Sequence, residues 1–134
     1  MFDSQVVGWT VLIVEDEPHN LGVPEGILTY YGAQVFTAED GVEGLEVLAD
    51  VTPTLILLDL SMPRMDGWEM IKRVRENPRT TSVPVVALTA HALRGDKERV
   101  LNAGFDGYIS KPFLLETFMC EIVRCVGEIE AARR

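Results

Sequence analysis

The chain has no apolar stretch long enough to span a bilayer, so no segment of it predicts a transmembrane helix. The first residues, Met1 to Gln5, also lack the basic and apolar regions of a secretory signal peptide. No nucleotide-binding loop of the form G-x-x-x-x-G-K-[ST] or G-x-G-x-x-G follows any predicted strand. These absences argue against a membrane protein, a secreted protein and a nucleotide binder, and we expect a cytoplasmic location.

Cysteine is scarce, with two in 134 residues. Cys120 and Cys125 are five residues apart on a predicted helix, so they point to different faces of it. We therefore expect both to be buried free thiols rather than a disulfide or a metal pair.

Positive charge is also in short supply, because 21 acidic residues face 12 basic ones and the net charge is −9. A phosphate backbone would repel such a surface, and so would an anionic membrane. We therefore expect neither a nucleic-acid nor a membrane partner, whereas divalent cations suit the acidic balance.

Strand and helix patterns alternate five times along a length that suits one domain. We place the domain at residues 10–127, between an N-terminal extension at 1–9 and a C-terminal tail at 128–134. Regular alternation without a break predicts an α/β fold with a doubly wound parallel sheet. The second strand alone alternates polar and apolar residues, which is typical of an edge strand. The predicted strands are residues 11–14, 34–37, 55–58, 85–88 and 107–109.

The first helical pattern, at residues 21–31, is interrupted by Gly22, Pro24 and Gly26. Proline inside a helix costs about 3 kcal/mol. We expect this helix either to begin near Pro24 or to be kinked, and to end at Gly32.

The other helices have clearer signals. Asp40 and Glu43 resemble a capping box, and Asp66 is placed to cap the third helix. Gly104 and Gly127 are expected to end the fourth and fifth helices. Apolar residues at helical spacing predict the buried faces, including Leu48, Trp68, Ile71, Val74, Val100, Leu101, Leu115, Phe118, Ile122 and Cys125.

Four of the predicted strands are followed by polar residues that are useful for metal or phosphate chemistry. Glu15 and Asp16 follow the first, Asp59 the third, Thr89 the fourth and Lys111 the fifth. Taken singly, each has an ordinary explanation as a cap, a turn residue or a solvated charge. In a parallel sheet, however, the strand ends meet at one edge, where binding crevices lie. The residues should therefore converge.

Such a cluster suits phosphoryl chemistry. Carboxylates crowded together need a counter-charge, which Mg²⁺ or Mn²⁺ supplies through oxygen ligands. Lys111 adds a positive charge and Thr89 a hydroxyl donor. Asp59, at the end of the run Leu55-Ile56-Leu57-Leu58, is the best nucleophile candidate for an aspartyl phosphate.

Four segments resemble the receiver domain of two-component response regulators across about residues 10 to 127. The resemblance implies a flavodoxin-like sheet of order 2-1-3-4-5 with helices on both faces, and we expect a single-domain regulator. The segments are Val14-Glu15-Asp16-Glu17-Pro18, Leu57-Leu58-Asp59-Leu60-Ser61-Met62-Pro63-Arg64-Met65-Asp66-Gly67, Leu88-Thr89-Ala90 and Tyr108-Ile109-Ser110-Lys111-Pro112-Phe113.

The resemblance assigns a role to each matching position. Asp59 would accept a phosphoryl group from a histidine kinase or a phosphotransfer protein. Asp16, Asp59 and the backbone carbonyl of Ser61 would bind Mg²⁺, with Glu15 acting through water or directly.

Other positions would sense the phosphate. Thr89, Ala90 and Lys111 would contact it, and Tyr108 would act with Thr89 as a switch. Lys111-Pro112 would be a cis peptide.

Two side chains near the site are candidates for tuning the lifetime of the phosphoryl group by shaping the access of water. These are Ser61 and His91, two residues beyond Asp59 and Thr89 respectively. For His91, a solvated residue at a helix start is an equally open interpretation.

The output partner would be an unknown protein, and a homodimer through the fourth helix, fifth strand and fifth helix is possible. Charges available there are Arg94, Asp96, Lys97, Arg99, Asp106 and Glu116, which by default form a solvated face. Two alternatives stay open. The chain could be a receiver excised from a hybrid histidine kinase. It could also be a metal-dependent phosphohydrolase using Asp59, although Asp59-Leu60-Ser61 lacks the second carboxylate of haloacid dehalogenase-type enzymes.

Overall fold

The computed structural model describes residues 6–89, 96–111 and 115–132, apart from the side chains of His19, Asp96, Leu115 and Glu116. Within these ranges, strands and helices alternate as the sequence predicts. No helix in these ranges combines the length and apolar character needed to cross a membrane. The elements are β1 Thr10–Val14, α1 Pro18–Tyr30, β2 Gln34–Ala38, α2 Gly41–Asp50, β3 Leu55–Asp59, α3 Gly67–Glu76, β4 Val85–Thr89, α4 Asp96–Ala103, β5 Gly107–Ser110 and α5 Leu115–Ala132.

The strands form one parallel sheet in the order β2-β1-β3-β4-β5. This order confirms the doubly wound α/β fold, and β2 lies at an edge as its alternating pattern predicts. In the registers, Val14 is the partner of Leu58, and Asp59 is the partner of Leu88. The carboxyl ends of β1, β3 and β4 therefore reach the same edge of the sheet.

Helices cover both faces of the sheet. Alternate residues of each central strand point to opposite faces, so each strand contributes to both layers. Val11 and Ile13 face a layer that contains Leu28 of α1 and Phe118 of α5. On the opposite face, the layer against Leu12 and Val14 contains Leu48 of α2, Met70 of α3 and Val100 of α4. Burial on both sides explains why the central strands are continuous apolar runs.

Helix α1 runs from Pro18 to Tyr30 and passes through Pro24, so it does not begin near Pro24. Pro18 occupies the first turn, where its fixed φ favours a helix start. Leu28 is fully buried in the core, and Ile27 packs beside it. This burial offsets the cost of the internal proline. Gly32, with φ of +101°, follows the helix end as expected.

Helix α5 does not end at Gly127 but continues to Ala132, through most of the expected tail. Glycine in a helix interior costs about 1 kcal/mol relative to alanine. Ile129 is 5% exposed and packs in the layer formed by α1 and α5. Its burial offsets the cost of Gly127, so the helix continues beyond the glycine. On the same helix Cys125 is buried but Cys120 is exposed, so the expectation of two buried thiols is wrong for Cys120.

Helix α4 contributes fewer core contacts than expected. Val100 is buried, whereas Leu101 is 43% exposed and does not anchor the helix. Asp106, expected on a solvated face, instead accepts a bond from Arg75 Nη2 at 2.8 Å. Arg99 lies over the Trp68 ring, 4.8 Å from its centroid. These two charges are therefore engaged within the chain.

The predicted caps of α2 and α3 are confirmed. The side chain of Asp40 accepts a bond from Glu43 N–H, and that of Asp66 accepts one from Glu69 N–H, each at 2.9 Å. Helix α4 ends at Ala103, and Gly104 has φ of +112°. The start of α3, just beyond β3, is thus fixed by its own sequence.

Gly67 allows α3 to begin directly against the end of β3. Its N–H donates to Leu60 O at 3.1 Å. A Cβ at this position would lie 2.3 Å from the Asp59 carbonyl oxygen and 2.9 Å from Leu60 Cα. Both neighbours are backbone atoms, so a side chain here would push α3 away from Asp59.

We predict that Gly67→Ala lowers the free energy of unfolding by about 1–3 kcal/mol, the range typical of overpacking. Gly22→Ala is the matched control, because no atom lies within 4 Å of its added Cβ and the helix should gain from alanine. Urea denaturation of both variants measures the difference. Equal stabilities would contradict the close contact described here.

Candidate functional site

Three carboxylates meet at the carboxyl ends of β1 and β3. Glu15 and Asp16 directly follow β1, and Asp59 is the last residue of β3. Each offers a carboxylate oxygen, and these oxygens all lie within 4.8 Å of one another. Glu15 and Asp59 are 1% and 4% exposed, so they repel each other with little screening by water. The convergence expected from the strand order is present.

Lys111 supplies the positive charge of the cluster. Its Nζ lies 2.7 Å from Glu15 Oε1 and 3.2 Å from Asp59 Oδ1. Its backbone N–H donates to Thr89 O at 2.7 Å, which ties the residue after β5 to the end of β4. The lysine is thus aimed at both buried carboxylates by the sheet itself.

Thr89 and Tyr108 occupy neighbouring strands beside the carboxylates. Thr89 is the buried last residue of β4, one position beyond the partner of Asp59 in the sheet. Tyr108 is half-buried and packs against the layer that contains α2, α3 and α4. Ala90, His91 and Pro112, which the sequence also placed at the site, lie outside the described residues.

Backbone N–H groups hold two of the carboxylates. Ser61 N–H donates to Asp59 Oδ1 at 3.3 Å, and Glu17 N–H donates to Glu15 Oε2 at 3.2 Å. The side chain of Ser61 is exposed. The residues that follow β1 and β3 therefore contribute backbone N–H groups to the site, whereas the role implied for the Ser61 carbonyl stays a prediction.

The cluster shifts the proton affinity of its members. Burial, together with the hydrogen bond and charge of Glu15, raises the pKa of Asp59 to about 7 against the opposing effect of Lys111. Burial disfavours the charged form of Lys111, yet the partnership with Glu15 and Asp59 raises its pKa above the ordinary value. Lys111 alone therefore does not compensate for the burial of Asp59 and the negative charge beside it.

The residues present fit a hard divalent cation. Glu15 Oε1 is buried, and among the described residues nothing meets it in ordinary hydrogen-bond geometry. Its compensation is the ion pair with Lys111. Three carboxylates offer only oxygen donors, the ligands that Mg²⁺ and Mn²⁺ prefer.

Residues 11–123 match the model of the response regulator receiver domain. The chain belongs to this family. A relative from Brucella anthropi, the polar-differentiation response regulator DivK, is 32% identical over 119 residues, which are 89% of this chain and 97% of the relative. An uncharacterized 14.6 kDa protein of Leptolyngbya boryana is 39% identical over 102 residues, 76% of this chain and 78% of that protein.

Solved structures support the same assignment. The chemotaxis response regulator CheY4 of Vibrio cholerae superposes with a TM-score of 0.82 at 30% identity, covering 87% of this chain and 98% of that one. The receiver domain of a sensor histidine kinase from Pseudomonas aeruginosa PAO1 gives 0.79 at 34% identity, covering 90% and 99%. That structure has a magnesium ion coordinated in its active-site cleft.

Two ion pairs near the site were not anticipated from the sequence. One joins Lys111 to Glu15, whereas the resemblance directs this lysine to the phosphoryl group. The other joins Arg64 to Asp40, which the sequence identified only as a helix cap. No local sequence signal marks either pair, because each joins residues at least 24 positions apart.

The raised pKa of Asp59 makes a prediction about the metal-free protein. The folded state binds the Asp59 proton more tightly than an unfolded chain, whose aspartate titrates near 3.8. Stability should therefore fall as pH rises from about 4 through about 7. Asp59→Asn removes the penalty, so it should be more stable than the wild type at pH 8 by at least about 1.4 kcal/mol, the equivalent of a tenfold change in proton affinity.

The measurement is urea denaturation with a chelator at pH 8 and at pH 5. The advantage of the variant should shrink at pH 5, where the wild-type carboxyl is protonated. An advantage of the same size at both pH values would show that the penalty does not come from ionised Asp59.

Proposed function

We propose that Asp59 accepts a phosphoryl group from the phosphohistidine of a histidine kinase or a phosphotransfer protein. A carboxylate oxygen would form the new O–P bond as the P–N bond breaks, and the bonding pair would return to the imidazole nitrogen. The observation that carries this proposal is the position of Asp59 at the tip of β3, beside two acidic residues and 3.2 Å from the ammonium of Lys111. Such transfer depends on positioning and charge more than on protein acid–base groups.

The surrounding residues divide the supporting tasks. Asp16, Asp59 and the Ser61 backbone carbonyl would hold Mg²⁺ or Mn²⁺, with Glu15 acting directly or through water. When bound, the ion would offset the repulsion among the carboxylates and the charge of the incoming phosphoryl group. The oxygen donors of this chain, and the magnesium ion in the cleft of the Pseudomonas relative, support this choice of cofactor.

A second set of residues would respond to the phosphoryl group. Lys111 would exchange part of its contact with Glu15 for the phosphoryl oxygens, while Thr89 and Ala90 contact them from β4. Movement of Thr89 would free space for Tyr108, one strand away, to turn inward. Ser61 and His91 would adjust how long the phosphoryl group survives.

Phosphorylation would shift an equilibrium between two conformations rather than create a new one. The surface that changes would be α4, β5 and α5, and its reader would be a protein target or a second copy of the chain. Lys97 and Leu101 are exposed there and available for such contacts. We propose residues 10–127 as the functional unit and the cytoplasm as the location.

The same chemistry within a hybrid histidine kinase is a second candidate. Receiver domains of histidine kinases are among the similar structures, at 34% and 30% identity. In that setting the phosphoryl group would pass onward to a phosphotransfer protein instead of controlling a separate target.

Incubation with acetyl phosphate and Mg²⁺, followed by intact-mass measurement, tests the proposal. We predict that the wild type gains one phosphoryl group and that Asp59→Asn gains none. Asp66→Asn is the matched control, because it removes one carboxylate near the same loop while asparagine still caps α3. It should be labelled like the wild type.

Two outcomes would contradict the proposal. Labelling of Asp59→Asn at the wild-type level would place the phosphoryl group elsewhere. Repeated rapid turnover of a small phosphate ester would instead favour the phosphohydrolase alternative.

A further inference from the structure

The loop from Ser61 to Asp66 is fastened to the start of α2 at two points. Arg64 Nε lies 2.7 Å from Asp40 Oδ2, and its Nη2 lies 3.2 Å from Asp40 Oδ1, so the pair is bidentate. One residue further on, Met65 O accepts a bond from Gly41 N–H at 3.0 Å. The loop that leaves the Asp59 strand is therefore held from the side by another element.

Arg64 is the first basic residue of the chain, and it supplies the counter-charge of Asp40. Eleven acidic residues and no lysine or arginine precede Arg64 in the sequence. Asp40 is 5% exposed and already accepts the Glu43 N–H as a helix cap. The hydrogen bond from Arg64, together with that from Glu43, holds the pKa of Asp40 below its usual value. Asp40 is thus a buried anion whose counter-charge comes from the loop.

The backbone of Arg64 is held in an unfavourable conformation. Its φ is +61°, the one positive value for a residue other than glycine in the part of the chain described. Met65 N–H donates to Pro63 O at 2.7 Å, which closes a γ-turn around Arg64 in its rarer, strained form. Glycine would adopt this backbone at lower cost.

Packing does not explain an arginine at this position, because its side chain is 59% exposed. The structure gives the side chain one described interaction of consequence, the pair with Asp40. Because packing of the side chain does not account for the strained backbone, we attribute the strain to a role of the ion pair between Arg64 and Asp40.

The ends of the loop already lie against Asp59. Ser61 N–H donates to Asp59 Oδ1 at 3.3 Å. At the other end, Gly67 N–H donates to Leu60 O, and the glycine packs on the Asp59 carbonyl. Between these ends, Met62 and Met65 pack against the core, and the described polar hold on the loop comes from Arg64 and from the bond between Gly41 and Met65.

We propose that Arg64 is a positioning residue, whose pair with Asp40 holds the loop so that the Ser61 backbone carbonyl stays aimed at the divalent cation. The inference rests on the proposed function, in which that carbonyl is a ligand. Groups that orient metal ligands commonly contribute a factor of about 10–100 to metal affinity. Arg64 acts across three residues, so a factor of about five to ten is expected.

The decisive variant is Arg64→Gly, assayed with MgCl₂ alone by isothermal titration calorimetry. It removes the tether, and relief of the strained φ offsets part of the cost of leaving Asp40 without its counter-charge, so any fall in thermal stability should be small. Mg²⁺ affinity should nevertheless fall about five- to tenfold. Removing a positive charge would by itself make the site attract the cation more strongly. Simple electrostatics therefore predicts a rise in Mg²⁺ affinity, the opposite of the expected fall.

Two further variants complete the experiment. Asp40→Asn keeps a good helix cap but weakens the pair, and should lower Mg²⁺ affinity in the same direction. Its effect should be largely lost in an Arg64→Gly background, because both substitutions break the same contact between Arg64 and Asp40. Arg73→Gln is the matched control, since it removes an exposed ion pair with Glu69 on α3 and should leave the affinity unchanged.

The outcomes separate the two proposals. If the wild type and Arg64→Gly bind Mg²⁺ equally, or the variant binds it more tightly, the positioning role is wrong while the proposed metal site stands. If the wild type binds no Mg²⁺, the proposed metal site fails and the positioning role fails with it. Equal losses for Arg73→Gln and Arg64→Gly would also overturn the inference.

Discussion

Repulsion among buried carboxylates is the constraint around which this molecule is arranged. Glu15 and Asp59 are nearly inaccessible to water, and Asp16 joins them at the edge of the sheet. Ionised acids at such distances are tolerated only with compensating positive charge. Lys111 provides part of it, from a strand two positions away from β3 in the sheet. The parallel topology is what brings the lysine within reach, so the electrostatics of the site require the whole fold.

Close backbone packing extends this arrangement beyond the sheet. Gly67 brings the start of α3 onto the Asp59 carbonyl, and Gly41 brings the start of α2 onto Met65. Neither approach leaves room for a Cβ, since the added atom would fall within 3 Å of backbone. The loop after β3 is consequently enclosed by two helix starts. The backbone that follows Asp59 is therefore in direct contact with the starts of α2 and α3.

Much of the fold could be predicted because its signals are local. Continuous apolar runs identified the buried strands, alternation identified β2 as an edge, and Asp40 and Asp66 were recognised as caps. The failures have one physical cause. Pro24 and Gly127 disfavour a helix locally, but burial of neighbours such as Leu28 and Ile129 outweighs their cost. Exposure of Leu101 and Cys120 likewise depends on which helix face meets the sheet, which short windows of sequence do not fix.

The ion pairs could not be predicted for a different reason, which concerns where charge lies along the chain. Every carboxylate up to Asp59 is encoded in a segment without lysine or arginine. Asp40 obtains its cation 24 residues later, and Glu15 obtains its cation from the end of β5. In an unfolded chain these acids would have only like-charged neighbours. Folding supplies Asp40 and Glu15 with their cations, but at the Glu15–Asp16–Asp59 cluster a single lysine faces three acids. The negative charge left there, carried by oxygen ligands alone, suits a divalent cation from solution.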